Sequence, residues 1–220
     1  MAEFDLVIFD FDGVVVDSEI LACGCLLALL RRHEIELDLA EVYERFLGRS
    51  FQAVADQYQI WRSQPVPADF RATLEAEIRR VFTASLRAMP GIVELLRSLK
   101  VPYCLASSSD PERVRLSLSL AKLEPYFEGR VFTAQQVRQG KPAPDLFLHA
   151  AMVMGVAPEH CLVIEDSVSG VAAAHAAGMT VWGFIGGSHY RDREGRALLG
   201  ASGAVAVFDK MADLKLRLLG

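Results

Sequence analysis

The chain has 220 residues, 52% of them hydrophobic, enough for one large domain or for a domain carrying a smaller insertion. Its 28 acids against 23 Lys and Arg give a net charge of -5 with no basic run, which argues against a nucleic-acid or anionic-membrane partner and leaves small-molecule chemistry. The longest apolar stretch, Ile20 to Leu30, contains Gly24 and stops at Arg31, short of the ~20 residues a membrane span needs. The opening MAEFDLVIFD has neither a basic n-region nor a small-residue cleavage site, so the expectation is a cytoplasmic protein. Cys23, Cys25, Cys104 and Cys161 lack metal-ligand spacing and lie in apolar surroundings, as reduced, buried thiols do.

The first stretch, FDLVIFDFDGVVVDSE from Phe4 to Glu19, organises the rest. Five apolar or aromatic residues among the six from Phe4 to Phe9 predict a strand buried on both faces of a parallel sheet. That strand runs straight into Asp10 and Asp12, with Gly13 next. Acids ending a buried strand are costly unless something neutralises them, so a cation is expected there. Ser18 is placed to cap a helix running to about His33. From Leu39 to Ser85 only helical periodicity follows: LAEVYERFL, FQAVADQYQIW and, after the SQPVPAD linker, a stripe at Phe70, Leu74, Ile78, Val81 and Phe82. This all-helical block reads as an inserted module over residues 17–86, splitting a core made of 1–16 and 87–220.

From Pro90 onward helices alternate with short apolar strands, which predicts βαβ units and an α/β fold with a doubly wound, Rossmann-like parallel sheet. Helix Ile92–Leu99 leads into strand Pro102–Ala106, ending in Ser107, Ser108 and Ser109. Helix Pro111–Leu120 leads into strand Arg130–Thr133. The loop GKPAPD, bearing Lys141, precedes a helix from about Pro144 to Met154. Strand Cys161–Ile164 ends in Glu165 and Asp166, and a helix from Ser167 to Ala177 is stopped by Gly178. Strand Thr180–Phe184 enters the polar loop GGSHYRDREGR, where His189 reads as a surface residue. Strand Ala204–Phe208 and a C-terminal helix complete the chain.

Ligands of doubly wound sheets bind beyond the carboxyl ends of the strands. Those ends carry Asp10, Asp12, Ser107, the Lys141 loop, Glu165 and Asp166, so four carboxylates, a hydroxyl and an ammonium should converge. Like charges ~4 Å apart repel by about 4 kcal/mol at an effective dielectric of 20, more than one lysine offsets among four acids. A divalent cation can, and a donor set of oxygens alone selects a hard ion such as Mg²⁺. A calcium loop starting at Asp10 fails, because Val15 and Leu21 stand where it needs glycine and an acid. Blander roles stay open: Asp166 and Ser167 as helix caps, Lys141 as a solvated loop lysine, and Ser108 or Ser109 in place of Ser107.

DFDGVVVDSE, LASSS, GKPAPD and IEDSVSG stand in the order and rough spacing of the four motifs of the haloacid dehalogenase (HAD) superfamily. Over essentially its whole length the chain resembles that superfamily's β-phosphoglucomutase-like branch of small phosphatases. The resemblance implies a Mg²⁺-dependent phosphatase of a small phosphorylated metabolite, most simply a sugar phosphate; no feature of the sequence sets the oligomeric state, for which a monomer is the default expectation. The resemblance makes Asp10 the nucleophile that forms an aspartyl-phosphate, Asp12 the general acid and base, Ser107 a hydrogen-bond donor to a phosphoryl oxygen, and Lys141, with Mg²⁺, the screen against repulsion between Asp10 and the phosphate. Asp10, Glu165 and Asp166, with the Asp12 main-chain carbonyl, would hold the metal, Glu165 either directly or through water. The helical block resembles the family's small cap, reached through a hinge at Val14 to Glu19. Its Gly48, Arg49 and Ser50 would contact substrate together with Ser108, and Arg49 would suit a second anionic group.

Mutases of this branch carry a cap histidine and an arginine where this chain has Ala22 and Phe51, with Arg49 displaced by two, so hydrolysis is favoured over mutase chemistry. A phospho-accepting signalling domain uses similar groups but puts its acidic pair on the first strand and the accepting aspartate later, lacks a cap and is much shorter.

Overall fold

In the computed structural model, which describes residues 4–220, the run Leu6–Phe9 forms β1, every residue of it buried. Residues 1–3, where the predicted core segment and the reading of the N-terminus begin, lie outside the described residues. After β1 come four helices, α1 (Glu19–Arg32), α2 (Leu39–Phe46), α3 (Phe51–Arg62) and α4 (Phe70–Ser85). The alternating half follows: α5 (Ile92–Ser98), β2 (Tyr103–Ser107), α6 (Pro111–Ala121), α7 (Glu124–Phe127), β3 (Val131–Thr133), α8 (Asp145–Met154) and β4 (Cys161–Glu165). The chain ends with α9 (Val168–Ala176), β5 (Thr180–Phe184), α10 (Gly195–Ala201), β6 (Ala206–Phe208) and α11 (Met211–Leu219).

The six strands pair in parallel in the order β3-β2-β1-β4-β5-β6. β1 therefore lies between β2 and β4, with Phe9 opposite both Leu105 and Ile164. Alternation along β1 sends Val7 and Phe9 to one face and Leu6 and Ile8 to the other. Two separate apolar clusters result, the first shared with α5, α6 and α11 and the second with α8, α9 and α10. A strand covered on both faces has no polar side to show, which is why its sequence is apolar without a break.

The helical block hangs on two adjacent connections. Val16 bridges Ala88, Asp17 N donates to Arg87 O (3.0 Å), and Met89 N donates to Val15 O (2.9 Å). α1 packs on α2 and α4, and the α4 stripe of Phe70, Leu74, Ile78 and Phe82 is buried in the same apolar cluster as Phe9. α2 begins with a capping box, Asp38 accepting from Glu41 N (2.8 Å) and Glu41 from Asp38 N (2.9 Å).

Three local expectations change. Ser18 precedes α1 but makes no side-chain cap: its backbone is already helical (φ -102°, ψ -26°) where a capping residue is extended, and its hydroxyl donates to Asp12 Oδ1. The segment after β5 folds into a 3-10 turn at Ser188–Tyr190 and then into α10. The four-residue α7 interrupts the segment expected to run directly from α6 into β3.

Candidate active site

Asp10 is held at the carboxyl end of β1, its N–H donating to Ile164 O (2.9 Å) on β4. Lys141 reaches it from the loop between β3 and α8, where the Lys141–Pro142 peptide is cis. Its Nζ donates to Asp10 Oδ1, to Glu165 Oε1 (2.6 Å) and to Ala106 O (3.3 Å), and it sits 4.8 Å from the Phe147 ring centre. The ammonium is 1% exposed, which answers the solvated-lysine alternative. Burial opposes its charge, but Asp10 and Glu165 more than compensate and hold it above the ordinary lysine range. Glu165 is fixed from its other side by Ser167 N (2.8 Å) and Ser167 Oγ (2.9 Å), and the same Ser167 oxygen caps α9 by accepting from Gly170 N (3.0 Å). Helix capping thus does occur here, alongside the acidic pair.

Asp166 lies deeper, with neither carboxylate oxygen hydrogen-bonded among the described residues. Burial first, then the charge of Glu165, pushes its carboxyl well above the usual range. Burial likewise raises Asp10, against the pull of Lys141. Single ligand oxygens from Asp10, Glu165 and Asp166 come within 4.8 Å of one another. Two orphaned buried oxygens in an all-oxygen cluster with surplus negative charge fit a hard divalent cation. Gly13 is what permits the approach: its φ is +85°, and a Cβ there would fall 1.9 Å from Asp166 Oδ2.

His189, expected at the surface, is buried instead, its Nε2 3.1 Å from Asp166 Oδ2 but outside hydrogen-bond geometry. The 3-10 turn folds it inward, since Ser188 N (2.9 Å) and Ser188 Oγ both donate to Asp17 and the Tyr190 hydroxyl donates to Asp166 O. Burial lowers the imidazole to about 4, so it is neutral at ordinary pH.

The Asp12 carboxylate is directed to hydroxyl groups. Ser18 Oγ donates to its Oδ1 (2.7 Å), Ser109 Oγ (2.6 Å) and Ser107 Oγ (3.4 Å) to its Oδ2, and Arg113 Nη2 stands 3.8 Å away. Arg113 also donates to Ser109 Oγ. Beyond this ring opens a cavity of about 600 Å³ between the helical block and the β2–α6 loop. Its wall includes Arg49, Ser50, Ser108 and Glu19, but not Gly48, whose carbonyl accepts from Ser169 Oγ (3.3 Å). The Ser108 hydroxyl at that wall is buried without a hydrogen-bond partner among the described residues.

The structure thus gathers Asp10, Lys141, Glu165 and Asp166 into one cluster, sets Asp12 with Ser107 in a second, and lines the adjoining cavity with Arg49, Ser50 and Ser108. Sequence reasoning passed over Arg113 and Glu19. Their only signals were an arginine one turn after the serine triplet and an acid opening an apolar helix.

The family model for a haloacid dehalogenase-like hydrolase matches residues 4–178. A 6-phosphogluconate phosphatase of Escherichia coli K12 is 30% identical over 190 residues, covering 86% of both chains. A phosphorylated carbohydrates phosphatase of Thermotoga maritima is 32% identical over 213 residues, covering 92% of this chain and 93% of the relative. Among solved structures, a HAD family hydrolase from Deinococcus radiodurans R1 with bound phosphate and sodium superposes with a TM-score of 0.76 at 36% identity, covering 99% of this chain and 96% of that one.

Proposed function

Because this chain belongs to the haloacid dehalogenase-like hydrolase family, we propose that it is a Mg²⁺-dependent phosphatase of small phosphorylated carbohydrates, working through a phosphoenzyme on Asp10. It is a phosphoric monoester hydrolase, as its named relatives are. The observation that carries the finer reading is Asp10 at the end of β1, gripped by Lys141 and clustered with an Asp166 whose oxygens are unpartnered. The carbohydrate reading rests on the relatives' names.

Asp10, Asp166 and the Asp12 main-chain carbonyl would hold Mg²⁺, with Glu165 completing the acidic set. The ion supplies positive charge that lets a carboxylate approach a phosphate dianion. An Asp10 carboxylate oxygen bonds to phosphorus as the ester P–O bond breaks, and Asp12 gives its proton to the departing alkoxide. Asp12 then takes a proton from the water that attacks phosphorus, which releases inorganic phosphate and restores Asp10. Lys141 pairs with Asp10 and offsets part of its negative charge, and Ser107 and Ser108 bind phosphoryl oxygens.

We assign residues 17–86 as a cap over this centre. The paired connections at 15–17 and 87–89 support that boundary, and the cavity under α1 and α4 supports substrate selection there. The four cysteines are free and buried, in keeping with a cytoplasmic enzyme. No helix among the described residues is long and apolar enough to cross a membrane.

Phosphate release from a panel of phosphorylated carbohydrates, with and without Mg²⁺, tests the reading. We expect metal-dependent turnover that falls by about a thousandfold or more in Asp10→Asn, with its circular dichroism intact. Substantial residual turnover in that variant overturns the nucleophile assignment. Ala22 and Phe51 both line the cavity, which favours hydrolysis over mutase chemistry. Glucose 6-phosphate formed from β-glucose 1-phosphate and a trace of bisphosphate, without free phosphate, would reverse that preference.

A further inference from the structure

Glu19, the first residue of α1, is an acid without a counter-ion. It is 8% exposed and makes no ion pair among the described residues. Its one hydrogen bond comes from the Cys23 thiol, one turn further on, which donates to Oε2 across 3.6 Å. Oε1 makes no hydrogen bond among the described residues, and the side chain borders the 600 Å³ cavity beside Ser108, Ser109 and Arg113. An acid in the first turn of a helix usually faces solvent, where the N-terminal dipole favours its charge. Here the same position is turned inward toward the space a substrate's alcohol portion would occupy.

The groups around Glu19 decide its form. Burial, and then the negative charge of Asp166 and Asp12, raise its carboxyl to about 8, while the Arg113 guanidinium counteracts this only in part. Near neutral pH it presents an uncharged carboxyl group, one donor and one acceptor, at a wall next to a site for a doubly charged phosphate. Such a group adds no repulsion and matches a hydroxyl. An aliphatic or aromatic leaving group would leave it unsatisfied, which costs discrimination of the kind a buried polar group imposes.

We propose that Glu19 determines specificity: its Oε1 hydrogen-bonds a hydroxyl of the alcohol being released, so that polyhydroxylated phosphomonoesters are selected over aryl ones. This rests on the phosphatase reading and adds to it the part of the molecule that recognises the carbohydrate. The test compares kcat/KM for a six-carbon polyol phosphate with kcat/KM for p-nitrophenyl phosphate, in wild type, Glu19→Gln and Glu19→Leu. The polyol-to-aryl ratio should fall by about tenfold or more in Glu19→Leu and by no more than about threefold in Glu19→Gln, which keeps the shape and hydrogen-bonding capacity of the neutral acid. A ratio unchanged in Glu19→Leu overturns the assignment.

Should Glu19→Leu fail to fold, the pH profile decides. The wild-type KM for the polyol phosphate should rise as pH passes about 8, when Glu19 gains its charge beside the phosphate, and the Glu19→Gln profile should lack that rise. Identical profiles overturn the proposal. Wild type that turns over no phosphomonoester at all overturns the phosphatase reading and this one with it, whereas turnover with an unaltered ratio overturns the role of Glu19 alone.

Discussion

Lys141 is a single buried cation shared by two buried acids, Asp10 and Glu165. Removing it strands those carboxylates in a medium that cannot solvate them, a loss of about 3–5 kcal/mol for a buried pair deprived of one partner. Lys141→Met should therefore lower the free energy of urea unfolding by about that amount in metal-free buffer. A loss below about 1 kcal/mol would show that water or protons replace the ammonium. Glu19 gives the opposite kind of signal. Its folded carboxyl titrates near 8, against an ordinary value of 4.5, so the native state keeps a proton that the unfolded chain releases between those two values. Stability contributed by the protonated form is complete below 4.5 and is lost as pH rises through 8. Glu19→Gln cannot lose that proton, so its melting-temperature advantage over wild type should widen from pH 5 to pH 8, and a constant gap would refute the shift. Asp10 and Glu19 differ in how visible they are before folding. Asp10 announces itself by ending an apolar run, and Lys141 sits in a loop bounded by prolines. Glu19, Arg113 and His189 acquire meaning only when α1, α6 and the Ser188–Tyr190 turn converge, a juxtaposition that no local spacing encodes.

β4 and α9 meet at Ser167, where one hydroxyl serves both. It accepts from Gly170 N to cap the helix and donates to Glu165 to hold the acid. A cap is worth about 1 kcal/mol, and the second hydrogen bond, made to a charged group, about 1.5–3. Ser167→Ala should accordingly destabilise the protein by about 2.5–4 kcal/mol in urea titrations. At an exposed helix start aspartate caps as well as serine, but here it would face Glu165, so Ser167→Asp should be less stable than Ser167→Ala. The reverse order would mean that capping outweighs the contact with Glu165. Long, strongly patterned elements such as β1 and α4 are legible in sequence because a buried strand must be continuously apolar and a packed helix must carry a stripe. α7 has four residues, and α10 has glycines at 195 and 200 with only Gly195 and Leu199 buried, so neither carries enough periodicity to be read. Ser18 misleads for a different reason. Its position in the sequence fits a helix cap, yet its backbone is helical where a cap is extended, and its hydroxyl turns to Asp12, six residues earlier.

At the scale of the molecule, the helical block and the sheet layer meet where the chemistry is. Arg71 on α4 pairs with Asp110 before α6 (2.6 Å), Tyr43 on α2 packs against His189, and the turn between α2 and α3 rests on the start of α9. The last contact leaves no room for a side chain at Gly48. Gly48 has φ +69°, and a Cβ there would lie 2.3 Å from Ser167 Oγ and 2.5 Å from Ser167 Cβ. Alanine cannot fit unless the turn lifts off α9, and Arg49 and Ser50, which border the cavity, lift with it. Misplacing substrate contacts by about 1 Å costs as much as a hundredfold in rate, while the strain of a left-handed alanine is only about 1 kcal/mol. Gly48→Ala should thus stay folded at assay temperature but lose about ten- to a hundredfold in kcat/KM. Gly24→Ala is the matched control, since a Cβ inside α1 at that position meets nothing within 4 Å. It should gain about 0.5–1 kcal/mol of stability and keep its turnover. If Gly48→Ala also keeps its turnover, the turn does not rest on α9 during the reaction, and the block would have to hold substrate from a position more open than the one observed.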